Sequence, residues 1–389
     1  MLKKISLFLL FSGMFQLYGQ ENSLIIHDSA QKEPPFLLEA SYIGDVYANI
    51  AGGLKTGGGY MGMGNLKIGF DTEKARWWKG GCLFINGATI HGKSLSENFT
   101  GDLQVASNID AGTHVYLHEF WFRQEFKTAS FTVGLQDMNA EFMVCENGAE
   151  FINSSFGVPP VVSENIPVPI FPLTGLGISA KWNISPKIRW QAAVFDGCQT
   201  PFENNPHNLS WRVCKNEGLL LIAEFHANIR IHHLDGTYKI GYIYHSGFKE
   251  LEKESQEGTS VFRHSKGIYA LIDQTVMHNE EKNRRIGLFT QIAFCRNNKM
   301  KPTYYFGLGA NCHGIFNPRG HDILGLAIAH VHLNGKSRPH ETALELFYKW
   351  KFNENVSIQP DLQYIIHPSL TEKPLKNALA CLFRLHIDI

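Results

Sequence analysis

The fold of this chain is decided by the stretch VYLHEFWFRQEF, residues 115–126. Successive side chains of a β-strand point to opposite faces, so residues two apart share a face. The polar face of this stretch would carry Glu119, Trp121, Arg123 and Glu125. The opposite face would be aromatic, with Tyr116, Phe120, Phe122 and Phe126. The stretch therefore predicts a strand with one polar face and one aromatic face.

The same alternation returns along the chain. It is present in residues 130–136, 188–194, 238–245, 341–352 and 377–389. A soluble β-sandwich would have to bury all of these apolar faces in one thin core. A transmembrane barrel turns them towards lipid, and its closed sheet pairs every backbone polar group. Charged residues are nearly absent from the apolar faces, which favours the barrel because charge on a lipid face is costly.

The alternation predicts an all-β chain that folds as a transmembrane antiparallel β-barrel. Each strand needs about 10 residues and each connection adds about as many again, so the chain is long enough for roughly sixteen strands. A barrel of this size encloses an aqueous channel. Residues 377–389 alternate to the end of the chain, and we expect them to form the closing strand.

The first residues predict export from the cytoplasm. Lys3 and Lys4 precede a short apolar run over residues 5–15, and the small residue Gly19 offers a cleavage site. This is the pattern of a signal peptide, and the run is too short for a transmembrane helix. We therefore expect a signal peptide at residues 1–19, a periplasmic segment at residues 20–35 and a barrel domain at residues 36–389.

Charge and motifs exclude other classes of protein. Removal of Lys3 and Lys4 leaves 34 basic and 36 acidic residues, so nucleic acid is not an expected partner. The glycine-rich residues 57–62 fit a dinucleotide-binding pattern, but a strand-like alternation follows them where that motif requires a helix. We expect no cofactor.

The cysteines and histidines predict neither a disulfide framework nor a metal site. The seven cysteines are an odd number, and the nearest candidate bridge joins Cys198 to Cys214. His330 and His332 share a strand face, yet no third ligand is evident beside them. No bound metal is expected.

Several blocks of sequence resemble the carbohydrate-selective porin family, of the OprB type, from Gram-negative outer membranes. The resemblance extends from about residue 36 to residue 389. Its strongest blocks, in order, are LHEFWFRQ at 117–124, VGLQDMNAEF at 133–142, FINSSFGVPP at 151–160, GIFNPRGHDILG at 314–325, ETALELFY at 341–348 and SIQPDLQYIIHP at 357–368. The resemblance implies sixteen strands, short periplasmic turns, longer outer loops that fold inward, and passive uptake of glucose-like sugars.

Three residues on the polar face of the first stretch are the candidate constriction. Glu119 and Arg123 can exchange hydrogen bonds with sugar hydroxyls, and Trp121 can lie against the apolar face of a sugar ring. The alternative is that Glu119 and Arg123 pair with neighbouring lumen charges and only brace the wall. The proline-rich residues 158–172 are predicted to be a loop that either folds into the lumen or caps the outer mouth.

The sequence thus predicts an outer-membrane porin through which small carbohydrates diffuse into the periplasm, and not an enzyme. Its expected partners are small carbohydrates, outer-membrane lipid and, as a possibility, further copies of the chain in a homo-oligomer. The alternatives are a general diffusion porin without sugar selectivity, an outer-membrane barrel hydrolase, and a periplasmic carbohydrate-binding β-sandwich. Detergent dependence would separate a barrel from the sandwich.

Overall fold

The computed structural model describes residues 34–213, 217–251, 260–296, 302–317 and 322–389. The predicted signal peptide, most of the predicted periplasmic segment, and Cys214 of the candidate disulfide lie outside the described residues. Within the described ranges, no helix combines the length and the apolar character needed to cross a membrane.

Sixteen β-strands make up most of the described chain. They are β1 (Phe36–Gly53), β2 (Gly57–Asp71), β3 (Gly81–Gly92), β4 (His114–Glu125), β5 (Ala129–Gln136), β6 (Gly175–Ser185), β7 (Ile188–Asp196), β8 (Leu219–Ile231), β9 (Leu234–Leu251), β10 (Ser260–Asn279), β11 (Arg284–Arg296), β12 (Pro302–His313), β13 (Asp322–Leu333), β14 (His340–Lys351), β15 (Val356–Ile366) and β16 (Lys376–Asp388). One short α-helix, α1 (Pro160–Ser163), lies between β5 and β6. The helical turns are Ser96–Thr100, Met138–Ala140, Gly148–Glu150 and Ser154–Phe156.

The strands form a closed antiparallel barrel. Each strand pairs with its neighbours in sequence, and β1 pairs with β16 to close the sheet. The closing register includes Tyr42 opposite Ile387 and Val46 opposite Phe383. The predicted sixteen-stranded antiparallel barrel and its closing strand are therefore confirmed.

Strand parity separates an inner face from an outer face. In β8, Leu220, Ile222 and Glu224 are buried inside the barrel, whereas Leu221 and Phe225 are exposed on the outside. Large apolar side chains recur in this outward position around the barrel. Apolar side chains in outward positions are typical of transmembrane barrels, whereas a water-soluble surface exposes mostly polar side chains.

One face assignment from the sequence is wrong. Asn86 of β3 pairs with Glu119, but the next residue, Gly87, pairs with Leu117, so His118 is an extra residue in β4. Such a bulge reverses the parity of the residues before it. Tyr116 consequently points inward, where it is 4% exposed and packs against Phe202, instead of outward with Phe120.

The two ends of the barrel differ in their connections. At one end, which we call the turn end, several strand pairs are joined by two to four residues, as at 126–128, 186–187, 232–233, 280–283 and 352–355. At the other end, the loop end, the connections 93–113, 137–174 and 197–218 are much longer. Short turns are the periplasmic side of outer-membrane barrels, and long loops are the external side.

The longest connection, residues 137–174, folds into the barrel, and we call it the pore segment. Its buried apolar side chains form one cluster with residues of the inner wall. Phe151 of the pore segment, for example, contacts Phe289 of β11 and Phe347 of β14, with ring centroids 5.4 and 4.8 Å apart. Helix α1 is buried in the same cluster. The proline-rich residues 158–172 thus belong to a segment that enters the lumen.

Candidate functional site

Wall carboxylates hold the pore segment in place. Glu224 of β8, Asp273 of β10 and Glu345 of β14 are each less than a tenth exposed, and each accepts hydrogen bonds from main-chain amides of the pore segment. The bonds join Glu224 to Met143 (3.0 Å), Asp273 to Glu146 (2.8 Å) and Asn147 (3.0 Å), and Glu345 to Ile152 (2.6 Å) and Asn153 (3.0 Å). These hydrogen bonds fix the segment at three points along its length.

A second connection, residues 93–113, also enters the barrel. The main-chain amides of Leu103 and Gln104 each donate to the Glu341 carboxylate, with closest distances of 2.9 Å. The Ser107 hydroxyl donates to Asp45 at 2.7 Å. Residues of both connections therefore narrow the lumen, and the open channel lies between these residues and the wall.

A cavity of about 360 Å³ lies between these connections and the wall formed by β14, β15 and β16. A water molecule takes about 30 Å³ in the liquid, so the cavity has room for roughly ten waters or for a small solute. The pore segment contributes Asp137, Glu150 and Phe171 to its lining. The wall strands β14 to β16 contribute Lys349, Ser357, Gln359, Arg384 and His386.

Basic and acidic side chains are in direct contact in the lining of the cavity. Lys349 Nζ lies 2.9 Å from Glu150 Oε2, and His118 Nε2 lies 3.4 Å from Asp137 Oδ2. Burial alone would raise the pKa of the Glu150 carboxyl, but the nearby cations, Lys349 first among them, lower it. Glu150 is therefore ionised at neutral pH, and the cavity offers both donors and acceptors to a polar solute.

Apolar groups complete the lining of the cavity. The Phe171 ring belongs to it, together with Ile43, Met63 and Ile109. A solute with hydroxyl groups on its edges and C–H groups on its faces would find partners for both here. The lining thus combines charged, amide, hydroxyl and aromatic side chains.

The three residues predicted from the sequence lie together on the inner face of β4. Trp121 Nε1 donates to Glu119 Oε1 at 3.1 Å, and the Arg123 guanidinium lies 4.7 Å from the Trp121 ring centroid. Trp121 is 6% exposed and stacks on Phe84. Their contacts are therefore mainly with one another and with the wall, and the cavity lining on β4 is formed by the neighbouring His118.

Arg123 also connects β4 to the pore segment. Its Nη2 atom lies 2.6 Å from Glu141 Oε1, and Lys181 of β6 forms a second ion pair with Glu141. Burial alone would raise the pKa of the Glu141 carboxyl, but Lys181 and Arg123 outweigh burial and lower it. Glu141 is thus held as an anion between two wall cations.

Several cavity residues were not singled out from the sequence. Strand parity predicts that Lys349, Arg384 and His386 lie on the polar faces of the stretches 341–352 and 377–389, but it does not bring them to one cavity. Arg384 reaches it because β16 closes against β1, where its guanidinium bonds Asp45 at 2.7 and 2.8 Å. Glu150 reaches it because the pore segment folds inward. Neither effect is visible in local sequence patterns.

No group of three or more His, Cys, Asp or Glu residues in the described ranges is arranged to hold a metal ion. The structure does bring together more histidines than the pair considered from the sequence. His340 stacks on His330, and its Nε2 atom lies 3.0 Å from His367 Nδ1 at the loop end of the barrel.

Comparison with known proteins gives a consistent family assignment. The model of the carbohydrate-selective porin family, OprB, matches residues 55–388. Porin B of Pseudomonas aeruginosa is 24% identical over 90% of this chain and 86% of its own length. The high-pH structure of Pseudomonas putida OprB has a TM-score of 0.80 at 19% identity, covering 91% of this chain and 94% of that one.

Two further solved structures are similar in fold. The low-pH structure of Pseudomonas putida OprB has a TM-score of 0.61 at 17% identity, covering 91% of this chain and 93% of that one. A loop-deletion mutant of OmpT from Vibrio cholerae has a TM-score of 0.55 at 9% identity, covering 91% and 99%. At these identities the likeness is one of fold.

Proposed function

This chain belongs to the carbohydrate-selective porin family, the OprB family, and we propose that the cavity beside β14 to β16 is where its channel recognises sugars. As a member of that family, the protein is a porin of the Gram-negative outer membrane that passes small carbohydrates. Membership implies a channel and not an enzyme. The solutes that we propose for it are glucose-like monosaccharides, which diffuse passively.

The observation that carries this proposal is the mixed lining of the cavity. A pyranose has hydroxyl groups around its rim and C–H groups on its two faces. Glu150, Lys349 and Gln359 supply hydrogen-bonding groups for the rim, and Phe171 supplies a ring for a face. The affinity must stay weak, because a channel that holds its solute tightly does not release it.

The fixed position of the pore segment supports the same proposal. Selection by hydrogen bonds requires that donors and acceptors keep their positions while solutes pass. Buried carboxylates hold the segment on both sides of Glu150, through the amides of Asn147 and Ile152.

We retain Glu119, Trp121 and Arg123 as constriction residues in this proposal. Arg123 and Glu119 place charge on the lumen wall beside the cavity, and Arg123 also holds Glu141 of the pore segment. They would act on sugar passage both by their own charge and by positioning the segment. The outward apolar faces would contact outer-membrane lipid, and a homo-oligomer stays a prediction.

Phe171→Leu tests the cavity directly. Purified protein is inserted into planar bilayers, and glucose is titrated while the ionic current is recorded. Loss of the ring should raise the half-blocking glucose concentration roughly two- to tenfold, the usual worth of an aromatic contact. Phe126→Leu is the matched control, because Phe126 is exposed on the barrel surface. Glucose should block this variant as it blocks the wild type.

The outcome also separates the two porin functions. Current steps that glucose blocks in the wild type, with weaker block in Phe171→Leu alone, support recognition at the cavity. Steps that glucose leaves unchanged indicate a general diffusion porin. Equal block in both variants means that the sugar is recognised elsewhere in the lumen.

A further inference from the structure

Four basic side chains meet on the inner wall at the turn end of the barrel. They are Arg285 of β11, His313 of β12, and Lys349 and Lys351 of β14. Their inward direction follows from parity, because Phe289 and Phe347 on the same faces are buried against the pore segment. We call these four residues the basic cluster.

The cluster has one direct contact, and the strand register connects the rest of it: His313 is paired with Ile323 of β13, and Ile323 with Lys349. Arg285 Nη2 lies 3.2 Å from His313 Nε2, and because a guanidinium only donates hydrogen bonds, the imidazole nitrogen accepts this one. His313 also interacts electrostatically with Lys349 and Lys351. Lys351 is exposed and Arg285 is half-buried, so water and solutes can reach the cluster.

The cluster carries more positive than negative charge. Glu150 is the carboxylate that interacts with it most closely, through Lys349 at 2.9 Å. The pKa of Glu150, which burial alone would raise, is lowered by Lys349, Lys351 and His313 together. Asp388 also interacts with Lys349 but is paired with His386 at 3.2 Å. With Glu150 and Asp388 both ionised, the two lysines and the arginine leave an excess of one positive charge.

The cluster adjoins the cavity proposed to recognise sugars. Lys349 and Glu150 belong to both, and Arg384 and His386 extend the basic lining of the cavity on its wall side. A solute that leaves the cavity towards the turn end therefore passes the cluster. Rings of Arg and Lys side chains are the usual means by which pores favour anions, and clefts of one charge raise the local concentration of oppositely charged solutes.

We propose that the basic cluster is a subsite for the acidic group of anionic monosaccharides, sugars that carry one carboxylate or phosphate. The cavity would hold the sugar ring, while Arg285, Lys349 and Lys351 would hold the charged group by charge-assisted hydrogen bonds. The proposal rests on the proposed function for the recognition of the ring. It adds a class of solute that a neutral binding site would not favour.

The test compares glucuronate with glucose in planar bilayers. The wild type is expected to be blocked by sodium glucuronate at lower concentration than by glucose, and its reversal potential in a KCl gradient should show a preference for anions. Arg285→Gln combined with Lys351→Gln should weaken glucuronate block severalfold, at roughly a two- to threefold loss for each cation, and leave glucose block unchanged. The matched control is Lys187→Gln combined with Lys282→Gln, which removes the same charge from exposed turn residues at the same end.

Three results would overturn the inference. Glucose block without preference for glucuronate would refute the acidic subsite and leave the proposed function standing. A changed reversal potential without preferential glucuronate block would mean that the cluster selects small ions and does not bind acidic sugars. An equal loss of glucuronate block in the control pair would mean that general surface charge, not the cluster, attracts the anion.

Discussion

At the scale of single residues, Arg123 is the side chain on which the sequence-based site can be tested. It joins β4 to Glu141 of the pore segment at 2.6 Å and lies over the Trp121 ring. We expect Arg123→Ala to change ion selectivity and glucose block while the barrel still folds, because Lys181 continues to pair with Glu141. Single-channel recordings of conductance and of glucose titration measure both effects.

The matched control for this variant is Arg212→Ala, since Arg212 is exposed in the connection 197–218. Glu119→Gln should shift ion selectivity in the direction opposite to Arg123→Ala, because it removes a negative charge, and not a positive one, from the same lumen face. If Arg123→Ala and Glu119→Gln both match the control in ion selectivity and in block by glucose, the assignment of these residues to the constriction is wrong.

Which side chains face the lumen could largely be predicted residue by residue. Parity placed Glu119, Trp121 and Arg123 on one face, and the structure brings them into mutual contact. It failed for Tyr116, because the extra residue His118 reverses the alternation. A bulge depends on the register of the neighbouring strand, and a single strand's sequence does not contain that register.

At the scale of elements, the pore segment depends on the wall carboxylates that accept its amides. Glu345 is fully buried and accepts from Ile152 and Asn153 at 2.6 and 3.0 Å. In Glu345→Gln the side-chain amide can accept with its oxygen only, and its NH₂ group meets a main-chain donor. Loss of a buried hydrogen bond of this kind costs about 1–3 kcal/mol.

We therefore expect Glu345→Gln to loosen the pore segment, with larger single-channel conductance, more open-channel noise and weaker glucose block. Glu372→Gln, at an exposed position between β15 and β16, is the matched control and should behave like the wild type. Recordings of Glu345→Gln that match the control in conductance and noise would contradict the role given to the carboxylate.

The path of the pore segment could not be predicted from its own sequence. The prolines of residues 158–172 exclude a regular strand, but they are compatible both with a loop inside the lumen and with a loop over the outer mouth. The segment enters the lumen because its apolar side chains find partners there, such as Phe347 for Phe151, almost two hundred residues later in the chain. These contacts exist only once the barrel has closed.

At the scale of the whole molecule, the pairing of β1 with β16, which we call the seam, closes the sheet into a barrel. Asp45 of β1 is fully buried, and its carboxylate accepts two hydrogen bonds from Arg384 of β16, at 2.7 and 2.8 Å. Ser107 of an inward connection joins the same group. The ion pair thus ties the two ends of the chain to an element that narrows the lumen.

Asp45→Asn should lower the thermal stability of the barrel markedly. Breaking a buried ion pair costs about 3–5 kcal/mol, because the remaining charge stays buried without its partner. The measurement is the temperature at which the barrel unfolds in detergent, followed by gel mobility or circular dichroism. Asp235→Asn is the control, since it breaks an exposed pair with Arg230, and exposed pairs contribute little. Equal melting of the two variants would mean that the seam does not depend on the buried pair.

The measurement that tests the central claim most directly is the swelling of liposomes that contain the purified protein. The liposomes are transferred into isosmotic solutions of glucose and of larger oligosaccharides, and the fall in turbidity is followed. A sugar porin with a narrowed lumen should give rapid swelling in glucose and much slower swelling as the sugar grows. A fully inserted, folded barrel that gives no swelling in glucose beyond that of protein-free liposomes would contradict it.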